Sequence, residues 1–381
     1  MRDAVIVEMV RTPLGRRNGA LSGLHPVDLS VHVLQSIAER SGIDPAVVDD
    51  VIWGCVSQIG EQTFDIGRTA PLAAGWPETV TGVTVDRQCG SSQQAVHFAA
   101  AGLIAGHYDV VVAGGVESMS RVPMGSAMGQ MDPLGDQFRS RYGSSFPNQG
   151  LGAEMIAEKW GLSRTRLDEF SLESHEKAAA ARTAGRFVAQ IAPITTPDGT
   201  IVTEDEGIRP GGTLERLAAL KAVFKEDGVV HAGNSSQISD GSAALLMTTS
   251  EKARELGLTP IARVHTAVLA GADPVVMLTA PIPATQKALK RSGLRIDEIG
   301  AFEVNEAFAP VPLAWLAELG ADPKSLNPNG GAIALGHPLG GSGARLMTTL
   351  VSHMRDRGIR YGLQTMCEGG GQANATILEL L

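Results

Sequence analysis

The stretch Val85-Asp86-Arg87-Gln88-Cys89-Gly90-Ser91-Ser92-Gln93-Gln94-Ala95 decides how this chain is read. An apolar, β-branched run from Val80 to Val85 leads into Cys89, and small residues follow directly. A helical pattern then extends from Ala95 through Phe98, Leu103 and Ile104. Strand, turn and helix in that order predict Cys89 on the turn, with its sulfur near the unpaired N–H groups that open the helix. Those donors and the positive end of the helix dipole favour a thiolate. Gly90 and Ser91 leave room for a substrate to approach the backbone. The competing reading is a small buried cysteine that only fills the core.

Upstream, Ala4 to Val10 reads as a strand, and Pro26-Val27-Asp28-Leu29 opens a helix reaching about Arg40. A further strand over 50–56 carries Cys55 as a core residue, and a helix spans about Gly67 to Ala74. Downstream of the Cys89 helix, Asp109 to Gly115 is a strand. Strands alternating with helices predict a mostly parallel, covered sheet. The pattern lapses over 119–240, which is richer in Gly, Pro and charge and holds one helix pair, Ala153 to Trp160 and Arg166 to Ala184. Regular packing resumes at Asp240. The last 120 residues or so then repeat the opening architecture, with a strand at 299–304, a helix from Gly341 to about Arg357 and a strand at 361–366.

The 381 residues, 43% of them hydrophobic and 4% aromatic, suffice for two or three domains with full cores. A net charge of −9 argues against a nucleic-acid surface, so an anionic ligand must be held by local features. Three scattered cysteines are too few for a disulfide framework or a metal cluster, and they fit a reduced compartment. No run approaches the ~18 apolar residues of a membrane span, and neither end reads as an address signal. The cytoplasm is therefore the expected location.

Four stretches place polar groups on tight turns: Cys89, Asn305-Glu306-Ala307-Phe308, the loop Asn329 to Gly340 around His337, and Cys367-Glu368-Gly369-Gly370-Gly371. In an open α/β sheet such turns gather at the strand ends, where ligands bind. A thiol nucleophile needs a base, and His337 has little side-chain bulk around it. The other eight histidines, His97 and His353 among them, read as structural. Cys367 admits redox pairing with Cys89, zinc ligation or acid–base work, and zinc lacks ligands at plausible spacing. Asn305 can orient a water or donate to an oxyanion, and the N–H groups of Cys89 and Gly369 can form a second oxyanion pocket.

With these residues in place, the sequence resembles the thiolase family, the acetyl-CoA C-acyltransferases, over essentially its full length. The resemblance is carried by Cys89-Gly90-Ser91, Gly114-Gly115-Val116-Glu117-Ser118-Met119-Ser120, Asn305-Glu306-Ala307-Phe308, Gly336-His337-Pro338 and Cys367-Glu368-Gly369-Gly370-Gly371, in that order. It implies an α/β fold of five layers, αβαβα, built from two similar halves and an inserted loop domain. On that division, 1–118 plus 241–264 form the N-terminal half, 119–240 the CoA-covering insertion and 265–381 the C-terminal half. The resemblance makes Cys89 the nucleophile, His337 the base, Cys367 the second acid–base thiol, Asn305 the holder of an oxyanion water and Gly369 a backbone oxyanion donor. It places CoA contacts at Arg209, Ala232, Gly233, Ser236, Met277 and Phe308.

The implied activity is cleavage of a 3-ketoacyl-CoA by CoA, which acts as co-substrate, with no metal or resident cofactor and with a homodimer or homotetramer as the working form. Ser92 departs from the family, which usually has Gly there, and Asn148-Gln149 replaces a His-Met pair of many biosynthetic members. Residues 17–25 and 235–240 look like degradative members acting on bulky, sterol-derived acyl chains. The rival enzyme reading is a decarboxylating ketoacyl synthase, against which the second cysteine in a Cys-x-Gly turn argues. A non-catalytic CoA- or lipid-binding protein and a redox dithiol protein are the rivals from other classes.

Overall fold

The structure, a computed structural model, describes residues 2–129, 131–143 and 148–381. The first part comprises β1 (Val5–Arg11), β2 (Gly15–Arg16), α1 (Pro26–Ser41), β3 (Asp50–Gly54), α2 (Ile66–Ala73), β4 (Thr81–Val85), α3 (Ser91–Ala105) and β5 (Val110–Ser118). A long excursion follows with α4 (Gly135–Tyr142), α5 (Gln149–Lys159), α6 (Arg164–Thr183), β6 (Ile194–Thr195), β7 (Ile201–Val202) and α7 (Leu214–Ala218). The chain then forms β8 (Ser239–Thr248), α8 (Ser250–Glu255), β9 (Ala262–Gly271), α9 (Pro281–Ser292), β10 (Ala301–Val304) and α10 (Pro310–Leu319). It closes with α11 (Ala332–Leu335), α12 (Ser342–Arg357), β11 (Tyr361–Glu368) and β12 (Gln372–Leu380).

The strands run in the order β10-β11-β12-β9-β1-β8-β5-β3-β4, with β2 paired to β8. Among the described residues the two half-sheets pair through β1 and β9 alone, at Val5 opposite Arg263 and Ile6 opposite Ala262. That narrow seam lets the half-sheets fold over a shared middle layer. There, Val96, Ala99 and Leu103 of α3 and Met347, Leu350 and Val351 of α12 pack against Ile6, Val111 and Leu245 on one side. Ala262, Ala301 and Leu378 of the other half-sheet join the same cluster. Outside the first half-sheet, Leu29, Val33, Leu34 and Ile37 of α1 and Ile66 and Ala70 of α2 cover Val10, Val51 and Val112. Outside the second, Ala284 and Ala288 of α9 and Leu313 and Trp315 of α10 cover Phe302, Val304, Leu363 and Ile377. The result is five layers, αβαβα.

The sheet is mixed, not mostly parallel. Only β3–β4, β3–β5 and β10–β11 are parallel ladders. After the excursion β8 re-enters antiparallel between β1 and β5, and β12 turns back beside β11 after the Gly369–Gly371 turn. Hydrophobic periodicity reports which faces are buried and carries no strand direction, so the expectation failed on that point. The antiparallel ladder from Val110 opposite Thr248 to Ser118 opposite Asp240 shows that the chain departs and returns at neighbouring points of one sheet. The helices of the excursion nevertheless pack on the C-terminal half: Ala157, Leu167 and Phe170 join Phe302 and Ile333, while Ala153 and Ile156 meet Met277 and Phe308.

Candidate active site

Cys89 sits where the turn after β4 enters α3, and its turn is held under strain. Gln88 adopts φ 48°, a left-handed conformation uncommon for a side chain of its size. Asp86 Oδ1 accepts from Gln88 N at 2.6 Å, and Ser91 Oγ accepts from Arg87 N while donating to Gln88 O. Ser91 therefore closes the turn instead of making space for substrate. Gly90 has a similar role: a Cβ there would run into the Glu368 carboxyl and the Asn374 amide.

The thiolate expected at the helix start is also reversed. Burial lifts the Cys89 thiol to about 12, and the Glu368 and Glu117 carboxyls add to the rise once they ionise. Near-complete loss of water outweighs the end of one helix, so the resting group is a thiol and its proton must leave as it reacts. Cys367 is raised too, by burial and by the proximity of Cys89. It lies within β11 and not on the following turn, and its neighbour Met366 packs with Cys89, Met119 and Leu339 in one small apolar cluster. Cys55, just past the end of β3, is fully buried with its thiol pushed far up, and it stays a core residue.

His337 follows Gly336, whose φ of 112° is open to glycine alone and whose Cβ position is taken by Ser239 Oγ. The His337 N–H bonds to Gln237 O at 3.1 Å and Ser239 Oγ at 3.2 Å, so residues 235–240 serve as its mount. The ring is 3% exposed, and burial with the Arg345 charge depresses it to about 3. It is thus neutral and able to accept a proton. Asn305 extends the β10 ladder, its N–H bonding to Thr365 O, and its Nδ2 lies 3.3 Å from His337 Nε2. Gly369 abuts the Cys89 turn: a Cβ there would stand 2.8 Å from Gln88 Oε1. Asn305 thus meets His337, Gly369 borders the Cys89 turn, Cys367 lies near Cys89, and Leu339 of the His337 loop packs with Cys89.

Two carboxylates that the sequence reading quoted within motifs but gave no role hold this loop. Glu117 accepts from Val56 N, Ser57 N, Gln62 Nε2 and Gly340 N at 2.7–3.0 Å, which ties β5 to the His337 loop. Glu306 accepts from Ser174 Oγ, Asn327 Nδ2 and Ile333 N, which ties α6 to the start of α11. The signal for Glu117 lay in the motif from Gly114 to Ser120, but its partners are distant in sequence.

The six expected CoA contacts divide. Arg209, Ala232 and Gly233 line one surface cavity of about 410 Å³ with His175 and Arg216. Arg216, on α7, is a second cation there that sequence reasoning missed. Met277 lines a second cavity of about 400 Å³ with Gln88, Gly369, Leu134, Phe138 and Gln149. Phe308 is buried in an apolar cluster with Met277 and Cys367, and Ser236 bonds Ala307 O nearby. Asn148, one half of the departing pair, caps α5 by accepting from Gly150 N and Leu151 N. Among the described residues no cluster of ligands suits a metal ion.

Fold and site together define an acyltransferase built on two βαβ halves. The family description "Thiolase, N-terminal domain" matches residues 4–251, and "Thiolase, C-terminal domain" matches residues 258–380. A steroid 3-ketoacyl-CoA thiolase, FadA6 of Mycobacterium tuberculosis, is 51% identical over all of this chain and 95% of its own length. A 3-ketoacyl-CoA thiolase of Idiomarina loihiensis is 45% identical over the whole of both chains. The crystal structure of the Bacillus anthracis acetyl-CoA acetyltransferase superposes with a TM-score of 0.92 at 40% identity, covering 100% of this chain and 99% of that one. The chain belongs to the thiolase family, with 3-ketoacyl-CoA thiolases among its relatives.

Proposed function

We propose that this thiolase cleaves 3-ketoacyl-CoA in two half-reactions through an S-acyl-Cys89 intermediate. His337 Nε2 takes the Cys89 proton as the sulfur adds to the C3 carbonyl, and the oxyanion forms beside Asn305 and His337. Collapse breaks the C2–C3 bond. The electron pair passes to C2 as an enolate of acetyl-CoA (or propionyl-CoA), and Cys367 gives C2 its proton. Cys367 then takes the thiol proton of incoming CoA, whose sulfur attacks the acyl carbon on Cys89; collapse expels the Cys89 sulfur, which takes back the proton held by His337. The N–H groups of Cys89 and Gly369 face that second oxyanion, each donor contributing ~10²–10³ in rate. The reverse sequence is a Claisen condensation. The observation that carries this reading is that Cys89 and Cys367, from opposite halves, lie close enough for Cys89 to raise the Cys367 thiol, while Leu339 of the His337 loop packs in the same cluster as Cys89.

On this reading Arg209 and Arg216 receive the CoA phosphates, and the cavity beside Gly369 receives the acyl chain. Its apolar wall of Leu134, Phe138 and Met277 suits a bulky acyl group, as does the name of the steroid-degrading relative. The excursion between β5 and β8 is the CoA-covering domain. By family resemblance the protein works as a homodimer or homotetramer, and its three scattered cysteines suit the reduced cytoplasm. No helix among the described residues is long and apolar enough to cross a membrane. Mass spectrometry after mixing with 3-ketoacyl-CoAs from short-chain to steroid is expected to show an S-acyl adduct on Cys89, largest for bulky chains. Cys89→Ala is expected to release no acetyl-CoA, and normal release would refute the nucleophile assignment.

A further inference from the structure

Among the described residues, each ring nitrogen of His337 has one hydrogen-bonding neighbour. Nδ1 lies 2.6 Å from Ser342 Oγ, and Nε2 lies 3.3 Å from Asn305 Nδ2. Ser342, the first residue of α12, also places its Oγ 2.8 Å from Pro338 O. A hydroxyl has one proton, a carbonyl oxygen only accepts and an amide nitrogen only donates. The Ser342 proton therefore goes to Pro338 O, and Oγ accepts from Nδ1–H. Independently, Asn305 Nδ2 requires a bare Nε2. Both counts give the same tautomer.

We propose that Ser342 is a positioning residue that fixes His337 as the Nδ1–H tautomer, so that Nε2 is its one basic nitrogen. The inference rests on the reading of His337 as the base. Ser342 is fully buried, and its bond back to Pro338 holds the hydroxyl at one end of the loop it serves. When His337 takes up a proton, the Nδ1–H bond to Oγ becomes charge-assisted and shortens the odds against a buried cation. The charged and titratable groups around the ring come from every side. Arg345 on α12 opposes the imidazolium, and Glu303 on β10 offsets Arg345. Glu117 of β5 reaches the loop at Gly340 N, and Cys89, from the turn before α3, packs with Leu339 of the same loop and lies near Cys367 of β11. Neither carboxylate touches the ring, so the tautomer is left to Ser342 and Asn305.

The opposing arrangement turns the Asn305 amide over. Its Oδ1, which is buried without a partner among the described residues, would then accept from Nε2–H while Ser342 donates to Nδ1. Nitrogen-15 NMR of the full-length, histidine-labelled protein separates the two, with His337→Asn used to assign the signal. The expected wild-type spectrum shows Nδ1 protonated and Nε2 bare, and a protonated Nε2 overturns the proposal without reference to any variant's folding. Ser342→Ala is expected to slow S-acylation of Cys89 about 10- to 100-fold, with KM nearly unchanged, and Ser342→Thr to restore most of the rate. Acylation by Ser342→Ala at the wild-type rate would also overturn it. A separate control isolates the underlying reading: His337→Asn that still acylates Cys89 normally removes the base assignment, whatever the tautomer.

Discussion

Gly90 surrenders its Cβ position to Glu368, a residue from the opposite half of the chain. Both Glu368 carboxyl oxygens are buried without a hydrogen-bond partner among the described residues, and so is Asn374 Oδ1 beside them. Burial lifts the carboxyl to about 8, with Arg87 pulling against it, so it carries a proton at neutral pH. Gly90→Ala is expected to push this carboxyl aside, distort the Cys89 turn and lower both Tm and kcat/KM. Overpacking of this kind costs about 1–3 kcal/mol. The Gly90→Ala/Glu368→Ala double variant is expected to recover much of the lost stability, and urea titration of the four proteins reads the coupling. Strict additivity would show that the two residues do not meet. The sequence marked Gly90 as a place where smallness matters, but its reason lies 278 positions away, beyond any local pattern. Ser342 was missed for a related cause: a serine opening a helix reads as an ordinary cap until its loop is folded back over it.

At the scale of elements, α3 and α12 carry most of what was legible. Both were placed from sequence, each after a Gly-rich turn, and each bears a site residue at or just before its start. Their role as a shared middle layer was not legible. Helix α12 is buried along most of its length and α3 is apolar even where it is exposed, at Phe98 and Ile104, so neither shows a polar face from which to read its neighbours. The structure joins them at their N-terminal ends, where Ser92 Oγ accepts from Ala344 N at 2.9 Å. Gln93 also bonds Thr376 and receives a bond from Gln364. Ser92, noted in the sequence as a departure from the usual glycine, thus satisfies one of the orphan N–H groups of α12. Ser92→Ala is expected to cost about 1 kcal/mol in urea unfolding, the worth of a lost cap. It is also expected to loosen the setting of Cys89 against His337, read as a lower kcat. A variant equal to wild type in both measurements would show the bond to be incidental.

Across the whole molecule, the buried ionisable groups determine how stability follows pH. Glu303 and Glu368 are raised from 4.5 to about 8, chiefly by burial, and Glu117 and Glu306 rise for the same cause. A raised carboxyl binds its proton more tightly when folded. Its stabilisation is complete below 4.5 and is lost as pH climbs through the folded value. His97 and His337 are depressed from 6.5 to about 3 and His175 to about 4, again mainly by burial. Their contribution is complete above 6.5 and is lost as pH falls, because the unfolded chain then takes up protons that the native protein refuses. From 6.5 to 8 the raised carboxyls act alone, so Tm is expected to fall across that interval. Below 4.5 the histidines act together with the ion-paired Asp168 and Glu379, whose carboxyls are lowered by their partners against burial, and Tm is expected to fall again. Maximum stability therefore lies between about pH 4.5 and 6.5, where the two sets oppose each other. Glu368→Gln removes one titrating group and is expected to reduce the alkaline slope by up to about 1.4 kcal/mol per pH unit. Calorimetric scans of both proteins from pH 4 to 9 measure this, and a wild-type Tm that rises between 6.5 and 8 would place the protons of the buried carboxyls elsewhere.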